Sequence, residues 1–239
     1  MPKYLLTFEK GESVRWLGHL DILRTFERAI RRAGLPIAFS AGFNPRERLA
    51  FASALSVGIT GGAERATLEL AAPLPPAEVI AQLNEALPPG IRLTDCQEIA
   101  DAGSRGLLNA LDRAEYTVVC ACPPGTRYEA AEEAVQALSA QPQIIIQRER
   151  EGRTRPVDIR PLLYHLALRP ESRETLAHDR LTVEMILALG EGGTARPSEV
   201  ITALAEQLPG LTLRRAHRVR LLTAQELAAQ SGSIDSVSP

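Results

Sequence analysis

A histidine, an amide and a set of arginines fall within one short stretch of this chain. His19 opens an amphipathic run, and Asn44, Arg46 and Arg48 follow it in the polar loop Ala41-Gly42-Phe43-Asn44-Pro45-Arg46-Glu47-Arg48. A histidine titrates near neutrality and can serve as a general base, while arginines offer bidentate donors to phosphate. Facing one another, His19 and the loop arginines would suit metal-independent cleavage of an RNA strand, with cationic donors stabilising the developing charge. Without the base, the same arginines and the Phe43 ring would suit binding alone, one by charge and the other by stacking. The plainer alternative makes His19 a structural residue at a helix start and the arginines a solvated face.

A second cationic run surrounds His217, with Arg214, Arg215, Arg218 and Arg220. Arg214 and Arg218 are the expected phosphate contacts there. His165 and His178 stand apart from the other histidines, and no pair has metal-ligand spacing. The chain has no Gly-x-Ser-x-Gly elbow, no His-Glu-x-x-His and no Walker loop. Asp158 and Asp179 lie beside Arg160 and Arg180 in sequence and read as ion pairs with them.

The element that must position the first set is a helix. Leu17, Leu20, Leu23, Phe26, Ile30 and Ala33 recur at three- and four-residue spacing, which predicts one buried stripe. Arg24, Arg28, Arg31 and Arg32 occupy the opposite face, with Glu27 placed to pair with Arg31 at i,i+4. Gly34 and Pro36 end the helix. The Asn-Pro pair and Gly42 then make the following segment a built loop, the kind of place where function concentrates.

Across 239 residues, 45% apolar and 23% charged, the composition is that of a globular protein with a sizeable core. A formal net charge of -2 excludes a generally basic nucleic-acid binder, so any phosphate attraction must come from local patches. No signal peptide or membrane span is legible, and three unpaired cysteines suit a reducing compartment, so the expected location is cytoplasmic. Cys96, Cys120 and Cys122 do not have the Cys-x3-Cys-x2-Cys spacing of a radical SAM cluster, and no cofactor is expected. Cys120 and Cys122 are expected on alternate faces of a strand.

The run HLDILRTFERAIRRAGLPIAFSAGFNPRERLAFA from His19 closely resembles the signature of a bacterial radical-SAM-linked family of unknown function, of DUF2344 type. VDIRPLL at Val157–Leu163 and GGTARPSEVI at Gly192–Ile201 extend the likeness over most of the chain. Members occur alone or fused to a B12-binding radical SAM domain, so the resemblance implies a radical SAM partner. The family pattern often has His-Pro after Gly-Phe-Asn-Pro; Arg46-Glu47 stands here instead.

In chain order the periodicities predict an α+β fold of two tandem ferredoxin-like (βαββαβ) halves. The expected domains are 1–99 and 114–223, with 100–113 a linker and 224–239 a flexible tail. A strand is expected from Leu49 to Ile59, turning at Gly61-Gly62. Packing the halves would bring the helix-loop patch and the Arg214–Arg218 strand to the walls of one cleft. Three functions fit: an RNA- or substrate-binding accessory to a radical SAM protein, a metal-independent endoribonuclease using His19, or a structural adaptor. The second draws on a resemblance in fold order to CRISPR repeat-processing nucleases.

Overall fold

The structure is a computed structural model that describes residues 1–100, 104–150, 152–175, 179–190 and 192–234. It is a mixed α+β chain that divides into two compact units, residues 1–112 with 218–239, and residues 113–217. No described helix is long and apolar enough to cross a membrane.

The first unit is built on β1 (Lys3–Lys10), α1 (His19–Arg32), β2 (Leu49–Phe51), β3 (Ile59–Glu69), α2 (Pro76–Ala86) and β4 (Ile91–Ile99). β1 lies between β4 and β3 and is antiparallel to both, running from Lys3 opposite Glu69 to Lys10 opposite Gly61. β2 takes the other edge of β3, pairing Leu49 with Leu68 and Phe51 with Ala66. This is the β4-β1-β3-β2 order of a split βαβ arrangement. One core fills the space between sheet and helices, with Tyr4, Leu6 and Phe8 from β1 meeting Ile22, Phe26 and Ile30 of α1. Each such side chain contributes about 1.5–3 kcal/mol by leaving water. Phe8, Phe26 and Phe51 meet edge to face at 4.9–5.6 Å, the geometry aromatic quadrupoles favour.

The helix is rotated relative to its expected stripe. Ile22, Phe26, Ala29 and Ile30 are buried, whereas Leu20 is 61% exposed. Leu20 and Ile22 lie about 200° apart around the axis, so both cannot face the core. The Gly61-Gly62 turn also gives way, since both glycines lie inside β3 and the chain reverses between β2 and β3. Gly61 serves close approach, because a Cβ there would stand 2.6 Å from Glu64 Oε1.

The second unit carries β5 (Leu111–Ala121), α4 (Tyr128–Ala140), a β6 (Ile145–Arg150) and β7 (Arg153–Asp158) hairpin, β8 (Leu163–Leu168), β9 (Arg180–Ala188), α6 (Pro197–Gln207) and β10 (Thr212–Thr223). Short helices α3 (Ser104–Asn109) and α5 (Ser172–Thr175) precede β5 and β9. β5 pairs antiparallel with β9, and β9 with β8. With β10 beside β5, the order is again four-one-three-two, the β6–β7 hairpin being inserted after α4. Arg148 fastens that hairpin by two donors to the Glu199 carboxylate, at 2.9 and 2.8 Å.

The observed units differ from the expected 1–99 and 114–223. β5 begins at Leu111, inside the expected linker, and β10 from Arg218 onward belongs with the first unit. α7 (Ala224–Ile234) occupies much of the expected tail. A reciprocal cap starts it: Thr223 N–H donates to Glu226 Oε2 at 2.7 Å, and Glu226 N–H to Thr223 Oγ1 at 3.1 Å. Residues 101–103 of the linker, 235–239 of the tail and His178 lie outside the described residues.

Candidate nucleic-acid interface

The loop after α1 is closed at its base and open at its tip. Ala38 accepts from Arg48 N–H at 2.8 Å. Ser40 N–H donates to the Arg46 carbonyl at 2.8 Å, and Ser40 Oγ accepts from Arg46 N–H at 2.9 Å. The five residues Ala41–Pro45 therefore form a short tip, with Gly42 at φ +129°, a conformation side chains resist. Phe43 sits there fully in solvent, and Asn44 and Arg46 are exposed beside it. Glu47, whose side chain is only 4% exposed, pairs with Arg31 at 2.7 Å and ties the loop to the last turn of α1. That partner replaces the expected Glu27, because the loop brings a buried carboxylate within reach. Arg48 turns inward, half-buried and 4.0 Å from Glu69, so it braces the loop more than it offers a donor.

Along the exposed face of α1 the residues Leu20, Arg24, Arg28 and Arg31 follow at helical spacing. Arg24 has Asp21 at 4.0 Å, both exposed. Arg28 lines a shallow groove of ≈ 430 Å³ with Thr25, Arg31, Arg32 and Pro88. Arg32 donates to the Ala86 carbonyl at the end of α2. From Arg15 to Arg48 there are seven arginines and three carboxylates, a local charge of +4 in a chain of net -2.

His19 is elsewhere. It packs edge to face on Phe51, with ring centroids 5.7 Å apart, at the Lys10–Gly61 end of the β1–β3 pair. The loop is anchored at the other end, near Glu69 and Arg31, about 18 Å along the helix axis. His19 and the loop arginines are therefore not assembled into one acid-base site. His19 instead borders a small cavity with Lys10, Ser53, Leu55 and Glu64, of ≈ 10 Å³, room for about one water.

Arg218 is the clearest correction. Its side chain is 1% exposed and holds the Glu64 carboxylate with both Nε, at 2.8 Å, and Nη2, while Nη1 reaches Ser53 Oγ at 3.3 Å. A guanidinium so enclosed has no face for phosphate. Lys10 shares this cluster, donating to the Arg15 and Leu17 carbonyls at 3.0 and 2.9 Å. Burial lowers its pKa, with Glu64 opposing and Arg218 reinforcing. Sequence reasoning missed this cluster because a glutamate and a lysine inside alternating strands carry no sign of each other. Arg214, by contrast, is exposed on the second unit. Asp158 accepts the Ile144 and Arg160 backbone N–H groups at 2.9 and 3.0 Å, whereas the Arg160 guanidinium goes to the Gln141 and Leu163 carbonyls, so their expected ion pair does not form.

The cysteines are all buried. Burial pushes Cys96 and Cys120 up to about 12, and Cys122 up as well. Cys120 and Cys122 point to the same buried side and not to alternate faces, as a period of two requires.

The family described as an uncharacterized protein conserved in bacteria, DUF2344, matches residues 3–197. The chain belongs to this family. No curated protein matches it. Among solved structures, a chain of a Cbf5-Nop10-Gar1 complex is similar in fold at 10% identity and a TM-score of 0.53, over 98% of this chain and 57% of that one. A chain of an H/ACA RNP bound to a substrate RNA containing 2'-deoxyuridine matches at 10% identity and a TM-score of 0.50, over 98% of this chain and 56% of that one. The DUF2344 chain thus spans little more than half the length of these structures, and at such identity the likeness is one of fold.

Proposed function

We propose that this protein binds RNA through the α1–loop unit of its first half, as an accessory to a radical SAM partner. The observation that carries this reading is the placement of Phe43. A large aromatic ring stands fully exposed on a tip whose base is pinned by three hydrogen bonds and two ion pairs, next to a cationic helix face. An exposed ring on a rigid support gains a stacked base without first losing freedom of its own, and the arginines supply the phosphate attraction. Arg24, Arg28, Asn44 and Arg46 are the accompanying contacts, with Arg48 positioning the loop. A structure of similar fold is that of an RNP with bound RNA, which agrees in kind with this reading. The radical SAM partner rests on the family resemblance, and co-purification from the native host tests it.

The deciding experiment is binding of fluorescently labelled RNA to the whole chain. Phe43→Ala should weaken binding by about 5- to 150-fold, the range of one lost stacking contact of 1–3 kcal/mol. The fold should not change, because the ring buries nothing. Absence of RNA binding by the unsubstituted protein, or unchanged affinity in a folded Phe43→Ala and Arg46→Ala double variant, would overturn the reading in favour of an adaptor.

A further inference from the structure

The exposed face of α1 does not end at its arginines. Before the helix, Trp16 is 65% exposed, with Val57 57% exposed nearby and Leu20 61% exposed on the first turn. Trp16 is held against backbone: a Cβ on Gly58 would come 3.3 Å from its ring carbon Cζ3, and Gly58 N–H donates to the Arg15 carbonyl at 2.9 Å. The Arg15 guanidinium lies over the indole at 4.5 Å. The protein therefore has a second supported aromatic at the start of α1, where Phe43 stands near its end. Arg24, Arg28 and Arg31 run between them along one face, four and three residues apart.

Resting on the RNA-binding reading above, we infer that this line is a track for single-stranded RNA, with a base held at Trp16 and another at Phe43 and the phosphates passing over the α1 arginines. A duplex could not use it, because its bases are stacked on one another and cannot reach two protein rings. A flat apolar partner protein fits less well, since three arginines divide the two aromatics. From His19 to Arg31 the helix rises about 18 Å. Even at about 3.4 Å per nucleotide, the shortest advance of a strand and that of a stacked one, an octamer spans that length.

Length dependence separates the two ends. Anisotropy titrations of the full chain with labelled oligouridylates of three and eight nucleotides, in parallel with an eight-base-pair RNA duplex, provide the readout. The octamer should bind at least tenfold more tightly than the trimer and the duplex. Trp16→Ala and Phe43→Ala should each weaken the octamer about fivefold or more, yet change the trimer, which can use either ring, by no more than about twofold. Trp16→Phe keeps a stacking face and should restore octamer binding to within about threefold, which separates stacking from a folding defect. Octamer binding that depends on Phe43 but not on Trp16 would overturn the track while leaving RNA binding at the loop intact. Equal affinity for duplex and octamer would likewise overturn it. No binding of any RNA would overturn the functional reading and the track together.

Discussion

The first unit contains two groups of cationic side chains that obey opposite rules. Lys10 and Arg218 lie beneath the surface around Glu64, at 1% exposure each, Lys10 donating to two backbone carbonyls and Arg218 to the Glu64 carboxylate and Ser53. Arg24 and Arg28 lie in solvent, one beside an exposed aspartate at 4.0 Å and the other with no ion pair among the described residues. Removing two charges from water costs several kcal/mol each, so a buried pair persists only with near-complete hydrogen bonding. That commitment leaves nothing to offer a ligand. An exposed pair such as Arg24 with Asp21 is worth about 0–1 kcal/mol and can be exchanged for a phosphate at little cost. The same residue type is thus structural in one place and available in the other, and burial decides which.

The largest effect is expected from opening the buried group. Arg218→Ala should cost about 3–5 kcal/mol in urea unfolding, because Glu64 is left charged and enclosed. Replacing both partners, Glu64→Leu with Arg218→Met, should recover most of that loss, since no uncompensated charge remains. A single variant within about 1 kcal/mol of the parent would mean that Arg218 is not committed as described.

Lys10 extends the contrast to pH. Its pKa is lowered from 10.5, chiefly by burial, so the folded protein releases this proton before the unfolded chain does. Between the lowered value and 10.5 the unfolded state binds more protons, and stability from this group rises with pH. The three raised cysteines act in the opposite sense, the contribution of Cys96 and Cys120 being full below about pH 9 and lost toward about pH 12. Comparing the parent with Lys10→Met cancels the cysteines. The unfolding free-energy difference should move in favour of the parent as pH rises toward 10.5, and a pH-independent difference would remove Lys10 from the titrating group.

The alternating runs that made strands and the three-four spacing that made helices were legible, down to β4 at Ile91–Ile99, because both reflect local periodicity. The reach of α1 was legible but its rotation was not: Leu20 and Ile22 are both apolar, and only the packing of Phe8 and Phe51 decides which one is buried. The Gly42–Pro45 loop announced itself by turn chemistry, whereas its anchor, Glu47 on Arg31, is a long-range pairing without a local signal. Arg218 misled for a related reason. A run of arginines on a strand reads as a surface, and the glutamate that draws one of them inward lies 154 residues earlier. The Thr223-x-x-Glu226 cap was readable and would have replaced a flexible tail with a helix.

The smallest effects lie within the exposed stripe itself, where Arg31 and Arg28 are one turn apart. Arg31 neutralises a Glu47 carboxylate that is nearly buried and whose Oε2 has no partner of its own. Arg31→Ala should therefore cost about 1–3 kcal/mol of stability by leaving that carboxylate unpaired, and should loosen the loop along with it. Arg28→Ala removes no ion pair and should stay within about 0.5 kcal/mol of the parent. Its effect belongs to binding: a lost phosphate contact lowers the log-log salt slope for a single strand by about 0.7. The two substitutions together separate support from contact along one helix face. If Arg28→Ala leaves the salt slope unchanged while Arg31→Ala alters it, the RNA contact lies at the loop end alone and the helix stripe is a solvated surface.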